Sequence, residues 1–239
     1  MKLTDVKRWW LMTVAVTVLL GGCATGPNAH PQDPLEPFNR GVYQFNEGLD
    51  RAVLKPVATA YQDVTPSPVR TGVSNFFNNL RDLWSSVNAL LQARPREAAE
   101  NFMRFNVNTF FGLGGVLDIA TEMGIERTTL DVGHTLGRWG VPSGPYLVLP
   151  VFGPSSVRDT VGLVADHQGD LVQQGVDHVP TRNALTALRV VDTRAHLLRA
   201  GELLDDVALD KYSFTRDAYL QRRQSQIGVD AGPAERFDD

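Results

Sequence analysis

The chain has 239 residues, 43% of them hydrophobic and 21% charged, with a formal net charge of −4 and a single Cys. That length allows one domain or two small ones, and one cysteine excludes an intramolecular disulfide and any multi-thiolate metal site. The acidic balance argues against nucleic acid as the principal partner, because phosphate binding needs a concentrated basic surface and no cluster here supplies one.

Residues 1–22 follow the plan of an export signal: a polar start with Lys2, Lys7 and Arg8 against Asp5, an apolar stretch from Trp9 to Leu20, then Gly21 and Gly22. The apolar stretch falls short of the roughly 20 residues that a membrane-crossing helix needs. Leu20-Gly21-Gly22-Cys23 resembles the bacterial lipobox, at which the cysteine is acylated and becomes the mature N-terminus. A lone cysteine is more often an inert core thiol, but beside Gly, Ala and Thr there is no core for Cys23 to enter. Two or more acyl chains anchor stably, so the resemblance implies a membrane-held protein, and Ala24 in place of Asp favours the outer membrane.

Residues 23–37 hold Pro27, Pro31, Pro34 and Pro37 and read as an acylated start followed by an extended tether. Phe38, Val42, Phe45, Leu49 and Val53 then recur at helical spacing until Pro56 interrupts or kinks the pattern. Beyond Pro66 and Pro68 the stripe Val69, Val73, Phe76, Phe77, Leu80 and Leu83 predicts a second helix, followed closely by Val87, Leu90 and Leu91. Pro95 suits the first turn of a third, with Ala98, Phe102 and Phe105 on one face, and Gly112, Gly114 and Gly115 end it.

Eight of the eleven Phe and nine of the eleven Asn lie between residues 38 and 111, interleaved as in NFFNNL and NFMRFNVNTFF. Two readings stand: an ordinary core with Asn on the solvated face, or Phe-rich faces in acyl chains with Asn meeting headgroups or lining a polar path. The section 112–154 is glycine-rich and irregular. Its run Pro145 to Phe152 reads either as a short buried strand or extended segment, or as an insertion beside lipid.

Helical pattern returns at 155–169, with Ser155 or Ser156 as N-cap and Val157, Val161 and Val164 on one face. A longer helix is predicted from about Thr181 to Leu204, its side opposite the apolar stripe showing Arg182, Arg189 and Arg199. A last amphipathic stretch precedes a tail, 226–239, expected to be disordered. The domain is thus placed at 38–225, all-α.

Catalytic and cofactor motifs are missing from the sequence. There is no GxSxG elbow, no HExxH, no Walker motif and no GxGxxG, the GLGG at 112–115 being a turn. Adjacent carboxylates such as Asp205 and Asp206 diverge by about 100° on a helix, so they do not converge as an acid and base. No enzymatic activity and no cofactor or metal are expected.

The segments DPLEPFNR at 33–40, FNEGLDRAVLKPVATAYQDVTPSPVRTGVSNFFNNL at 45–80, HTLGRWGVPSGPY at 134–146, GPYLVLPVFGPSSVRD at 144–159 and RDAYLQRRQ at 216–224 resemble the VacJ/MlaA family of outer-membrane lipoproteins. The resemblance implies a ring of amphipathic helices in the membrane plane around a central channel, embedded in the outer membrane from the periplasmic side. It implies association with a trimeric porin, removal of mislocalised outer-leaflet phospholipid and its transfer to a periplasmic lipid carrier. Amphipathicity marks Arg182, Arg189 and Arg199 as candidates for the passage or its rim, or as arginines of a solvated face. Phe38 and Asn39, at the start of the first helix, are candidates near the entrance. A porin-associated structural lipoprotein without a channel is the competing reading, and a phospholipid-degrading enzyme a third.

Overall fold

The computed structural model describes residues 30–228. The export signal, Cys23 and the tail from residue 229 lie outside the described residues. The fold is helical, with one two-stranded hairpin. Its elements are α1 (Glu36–Leu49), a π turn (Asp50–Leu54), α2 (Lys55–Val64), α3 (Ser67–Leu91), α4 (Pro95–Phe110), α5 (Ile119–Glu122) and α6 (Val132–Arg138). They are followed by β1 (Tyr146–Leu149), β2 (Gly153–Ser156), α7 (Val157–Gln168), α8 (Leu171–Gly175), α9 (Val179–His196), α10 (Leu198–Val207) and α11 (Lys211–Gly228).

Several sequence signals act as expected. Pro95 stands in the first turn of α4, and the Ser156 hydroxyl caps α7 by accepting from the Asp159 amide. Tyr146–Leu149 is a strand, paired antiparallel so that Tyr146 faces Ser156 and Leu149 faces Gly153.

Other elements differ. Pro56 does not end its helix: the Lys55 amide bonds to the Asp50 carbonyl five residues back, and this widened turn precedes the proline whose ring would otherwise press on the turn before it. The two stripes at 69–83 and 87–91 form one 25-residue helix, α3. The helix predicted over 181–204 is split at Leu197 into α9 and α10.

Residues 30–37 are not an extended tether. His30 to Leu35 turn back on themselves and Asp33 is fully buried, because its carboxylate accepts from Asn39, Tyr212 and Arg216. The helical domain also runs three residues past the expected boundary, to Gly228.

The element contacts close a circuit: α1 on β1, β1 on β2, β2 on α11, α11 on α6, α6 on α3, α3 on α9, α9 on α2, and α2 through the π turn back to α1. The buried apolar residues form three small separate clusters, around Ala58, Ala195 and Leu198, around Ala89, Ala98 and Leu130, and around Tyr146, Val148 and Tyr212. Small residues let elements touch at these joints. At the α6–α7 crossing a Cβ on Gly162 would come within 2.6 Å of the Gly133 amide nitrogen.

Candidate lipid-facing surface and polar interior

The helical stripes read from the sequence are present, but most face outward. Phe38 and Phe45 of α1, Val53 of the π turn, Phe102 and Phe110 of α4, and Val157, Val161 and Val164 of α7 are all exposed. Phe110 is 77% and Phe111 74% exposed. Of the eight phenylalanines between 38 and 111, only Phe77 is buried. Exposed apolar side chains on this scale mark a surface that meets something other than water.

Asparagine shows the converse. Asn39, Asn79, Asn88, Asn101 and Asn108 are buried, and each ties two chain segments together. Asn101 exchanges bonds with the Thr128 backbone, donating at 2.8 Å and accepting at 3.2 Å. Asn108 donates to Asp118 and accepts from the Ala120 amide at 2.9 Å. Asn88 accepts from the Thr135 hydroxyl at 2.8 Å. An amide has two donor sites and an acceptor oxygen, so it can satisfy a strand, a loop and a helix end without bringing charge inside.

The centre of the polar interior is ionic. Arg104 of α4, 1% exposed, donates to Asp118 at 2.8 and 2.9 Å and to the Thr121 hydroxyl at 2.9 Å, and pairs with Asp82 of α3. Its remaining donor reaches the Ile125 carbonyl. Arg127 grips Asp82 with two bonds, at 2.8 and 3.0 Å. Burial pushes the Asp82 carboxyl above its ordinary range, although Arg127 and Arg104 oppose it. Burial also acts upward on Asp118, but Thr121, Asn108 and Arg104 outweigh it and leave that carboxyl lowered.

Two concave features open to the surface. An apolar recess is lined by Pro37, Phe38, Val42, Phe45 and Pro150. It leads to the hairpin turn, where Val151 and Phe152 are exposed and Val151 holds a left-handed φ of 70°. That conformation is costly for a β-branched residue; the Asn46 side chain accepts the Val151 amide at 2.8 Å and holds it. The run 145–152 is therefore a strand at one end and an exposed apolar tip at the other. A second cleft is polar, with Gln62, Arg70, His196, Arg199 and Glu202 on its walls.

The sequence-derived candidates are dispersed. Phe38 is exposed at the apolar recess. Asn39 is fully buried, donating to Asp33 at 2.8 Å and to the Tyr146 carbonyl at 3.0 Å while accepting from the Val148 amide. It joins α1 to β1 and its side chain reaches no surface. Arg189 pairs with Asp170 at 2.6 Å and lies over the Phe77 ring. Arg182 is part-buried seven residues before Arg189 on α9. Arg199 is exposed on α10, at the polar cleft. The break at Leu197 separates it from the other two. The interior network around Arg104 and Asp82 escaped the sequence reading; the available signal was a charge set inside each apolar stripe, Asp82 between Leu80 and Leu83 and Arg104 between Phe102 and Phe105.

No described helix is long and apolar enough to cross a membrane, and no described group of His, Cys, Asp and Glu side chains is placed to hold a metal ion.

Comparison with known proteins agrees with this architecture. The chain is 39% identical over 212 residues to the intermembrane phospholipid transport system lipoprotein MlaA of Shigella flexneri, covering 86% of this chain and 83% of that protein. It is 38% identical to the protein of the same name from Escherichia coli K12, with the same coverage, and 34% identical to that of Haemophilus influenzae, covering 91% and 89%. A solved structure from work on the structural basis for maintenance of bacterial outer membrane lipid asymmetry superposes with a TM-score of 0.72 at 37% identity, over 82% of this chain and 98% of that one. The family model for MlaA lipoprotein matches residues 31–226, the stretch that forms the closed circuit of helices, and the chain belongs to that family.

Proposed function

We propose that this chain is an outer-membrane lipoprotein that takes up phospholipid mislocalised to the outer leaflet and passes it to a periplasmic carrier, preserving lipid asymmetry. The observation that carries the reading is the inversion of the fold, with phenylalanine outside and asparagine, aspartate and arginine inside. In water such a molecule would expose the groups that cost most to hydrate and bury those that cost most to desolvate. In a leaflet the first cost disappears for the outer faces, while the buried polar groups are compensated by the bonds they make with one another. The names of the relatives, phospholipid transport lipoproteins, support the same reading.

Acylation at Cys23 supplies the anchor, and the exposed faces of α1, α4 and α7 with the hairpin tip sit among acyl chains on the periplasmic side. The closed circuit of elements is the wall of a ring. A headgroup crossing an apolar layer unaccompanied loses several kcal/mol of hydration; a wall of protein charges and dipoles lowers that cost while the tails remain in the bilayer. No bond is made or broken, so no catalytic group is required. A trimeric porin is the neighbour expected in the membrane.

The test is outer-leaflet phospholipid in a deletion strain complemented with wild type or Cys23→Ala. Accumulation on deletion, reversed only by the acylatable form, is expected. Intact asymmetry with failed porin assembly would instead indicate a structural lipoprotein.

A further inference from the structure

The polar cleft has a volume of about 520 Å³, within the roughly 300–1,000 Å³ of small-molecule sites. It lies where α2, the start of α3 and the junction of α9 with α10 meet. α10 restarts after Leu197 with Leu198 buried against Ala58 and Ala195. Arg199 and Glu202, three positions apart and so on one helix face, line the cleft together with Arg70 of α3.

The other polar side chains on its walls are already committed. The Thr59 hydroxyl donates to the Lys55 carbonyl at 2.9 Å, and the Gln62 amide donates to the Ala195 carbonyl at 2.7 Å. His196 has one ring nitrogen 2.8 Å from the Asp192 carbonyl and the other 3.4 Å from the Ser74 hydroxyl. Three charges are left over. Arg70 donates through Nη1 alone, to the carbonyls of Gln62 and Thr65 at the end of α2. Its guanidinium is thereby fixed in place, while Nε and Nη2 have no partner among the described residues. Arg199 and Glu202 are exposed and make no hydrogen bond or ion pair with any described residue, each other included. In the buried networks such charges are matched, as Arg104 is by Asp82 and Asp118 and Arg223 by Asp131 and Asp159. The cleft instead presents two cations and one anion to whatever enters it.

We propose that this cleft binds the zwitterionic headgroup of an aminophospholipid, with Arg70 and Arg199 on the phosphodiester and Glu202 on the primary ammonium. The assignment rests on the transport reading above and deepens it by naming the headgroup. A guanidinium presents a planar fork of donors that fits two phosphate oxygens, and an ammonium offers three donors to a carboxylate. The short link of ethanolamine keeps phosphate and amine close together, as one helical turn keeps Arg199 and Glu202 close together. A headgroup with phosphate alone would meet the Glu202 carboxylate as a like charge. Arg199 and Glu202 carry no bond within the fold, so their replacement leaves it intact.

The experiment uses the purified full-length lipoprotein in a neutral detergent without phosphate. Binding of dihexanoyl phosphatidylethanolamine, dihexanoyl phosphatidylglycerol, dihexanoylglycerol and inorganic phosphate is measured for wild type, Arg199→Gln and Glu202→Gln. Arg199→Gln should weaken both phospholipids by about twofold to fivefold, the range of one exposed ion pair. Glu202→Gln should weaken phosphatidylethanolamine by a similar factor while leaving phosphatidylglycerol equal or tighter. Dihexanoylglycerol should not respond to either change, whereas a damaged fold would weaken all the lipids together. Equal phosphatidylethanolamine binding by wild type and Arg199→Gln would overturn the site and leave the transport reading standing. Loss of both phospholipids alike in Glu202→Gln would overturn the zwitterion assignment. Inorganic phosphate bound as tightly as phosphatidylethanolamine would make this a site for a free anion and overturn the headgroup. Failure of the wild type to bind either phospholipid would overturn both the site and the transport reading.

Discussion

The Tyr212 hydroxyl donates to the Asp33 carboxylate at 2.5 Å, across 179 positions of sequence, and both side chains are buried. The same carboxylate receives Asn39 at 2.8 Å and Arg216 at 3.3 Å, so the first described turn, α1 and the last helix meet on one group. This is where the circuit closes. Tyr212→Phe removes one donor of three and keeps the ring in place; a loss of about 1.5–3 kcal/mol, the range for a bond to a charged group, is expected in denaturant unfolding. Asp33→Ala leaves Arg216 without a buried partner and should cost more, at about 3–5 kcal/mol.

Arg104 is the most enclosed cation of the interior. Arg104→Ala takes the most buried partner from Asp82 and Asp118 and leaves both to the half-solvated Arg127, and a loss of about 3–5 kcal/mol is expected. Arg104→Lys should rescue little, because one ammonium does not reach Asp118, Asp82 and the Ile125 carbonyl together. Thermal unfolding of the two variants, compared with Arg127→Ala at the better solvated end of the network, checks the order: Arg127→Ala should be the mildest.

Acid should loosen the joint between α6 and α11. Burial acts upward on the Asp131 carboxyl, but bonds and charges from His134 and Arg223 outweigh it and hold the group well below the usual carboxylate range. A carboxyl depressed in the folded state adds stability that is fully present above its unfolded value, about 4, and is lost as pH falls toward the folded one. Unfolding free energies at pH 7 and pH 3 should therefore differ more for wild type than for Asp131→Asn, and equal differences would dismiss this group as a source of acid sensitivity.

Phe110 and Phe111 end α4 with most of their surface uncovered. Phe110→Asn with Phe111→Asn should leave the melting temperature nearly unchanged. If each ring is buried in lipid, its loss removes about 1.5–3 kcal/mol of transfer free energy. Flotation of the non-acylated Cys23→Ser protein with phospholipid vesicles should fall by at least tenfold in the double variant.

Two glycines of helices should respond oppositely to alanine. Gly48 of α1 has nothing within 4 Å of a new Cβ, and Gly48→Ala should stabilise by about 0.5–1 kcal/mol through lower unfolded-state entropy. Gly162→Ala would drive a methyl against the Gly133 backbone and should destabilise by about 1–3 kcal/mol. Melting curves of the two single variants decide it.

The sequence by itself determined the periods and the punctuation. Helical spacing placed α1, α3, α4, α7 and α9, Pro95 and Ser156 marked their starts, and the apolar run before Pro150 became the strand β1. These are local effects of backbone geometry and capping, and they act within a few residues. The long motifs also carried the family. What the tertiary structure decided is the direction in which each face points. An amphipathic pattern is the same whether its apolar side meets a core or an acyl chain, so the stripe Phe38, Phe45 and Val53 could not declare itself outward. For the same reason the spacing could not show that Asn39 is buried against Asp33, Tyr146 and Val148. A buried amide needs partners brought from 107 and 109 residues away, and only the closed circuit supplies them. The charges Asp82 and Arg104, each set within an apolar stripe, became an ion pair through the packing of α3 on α4.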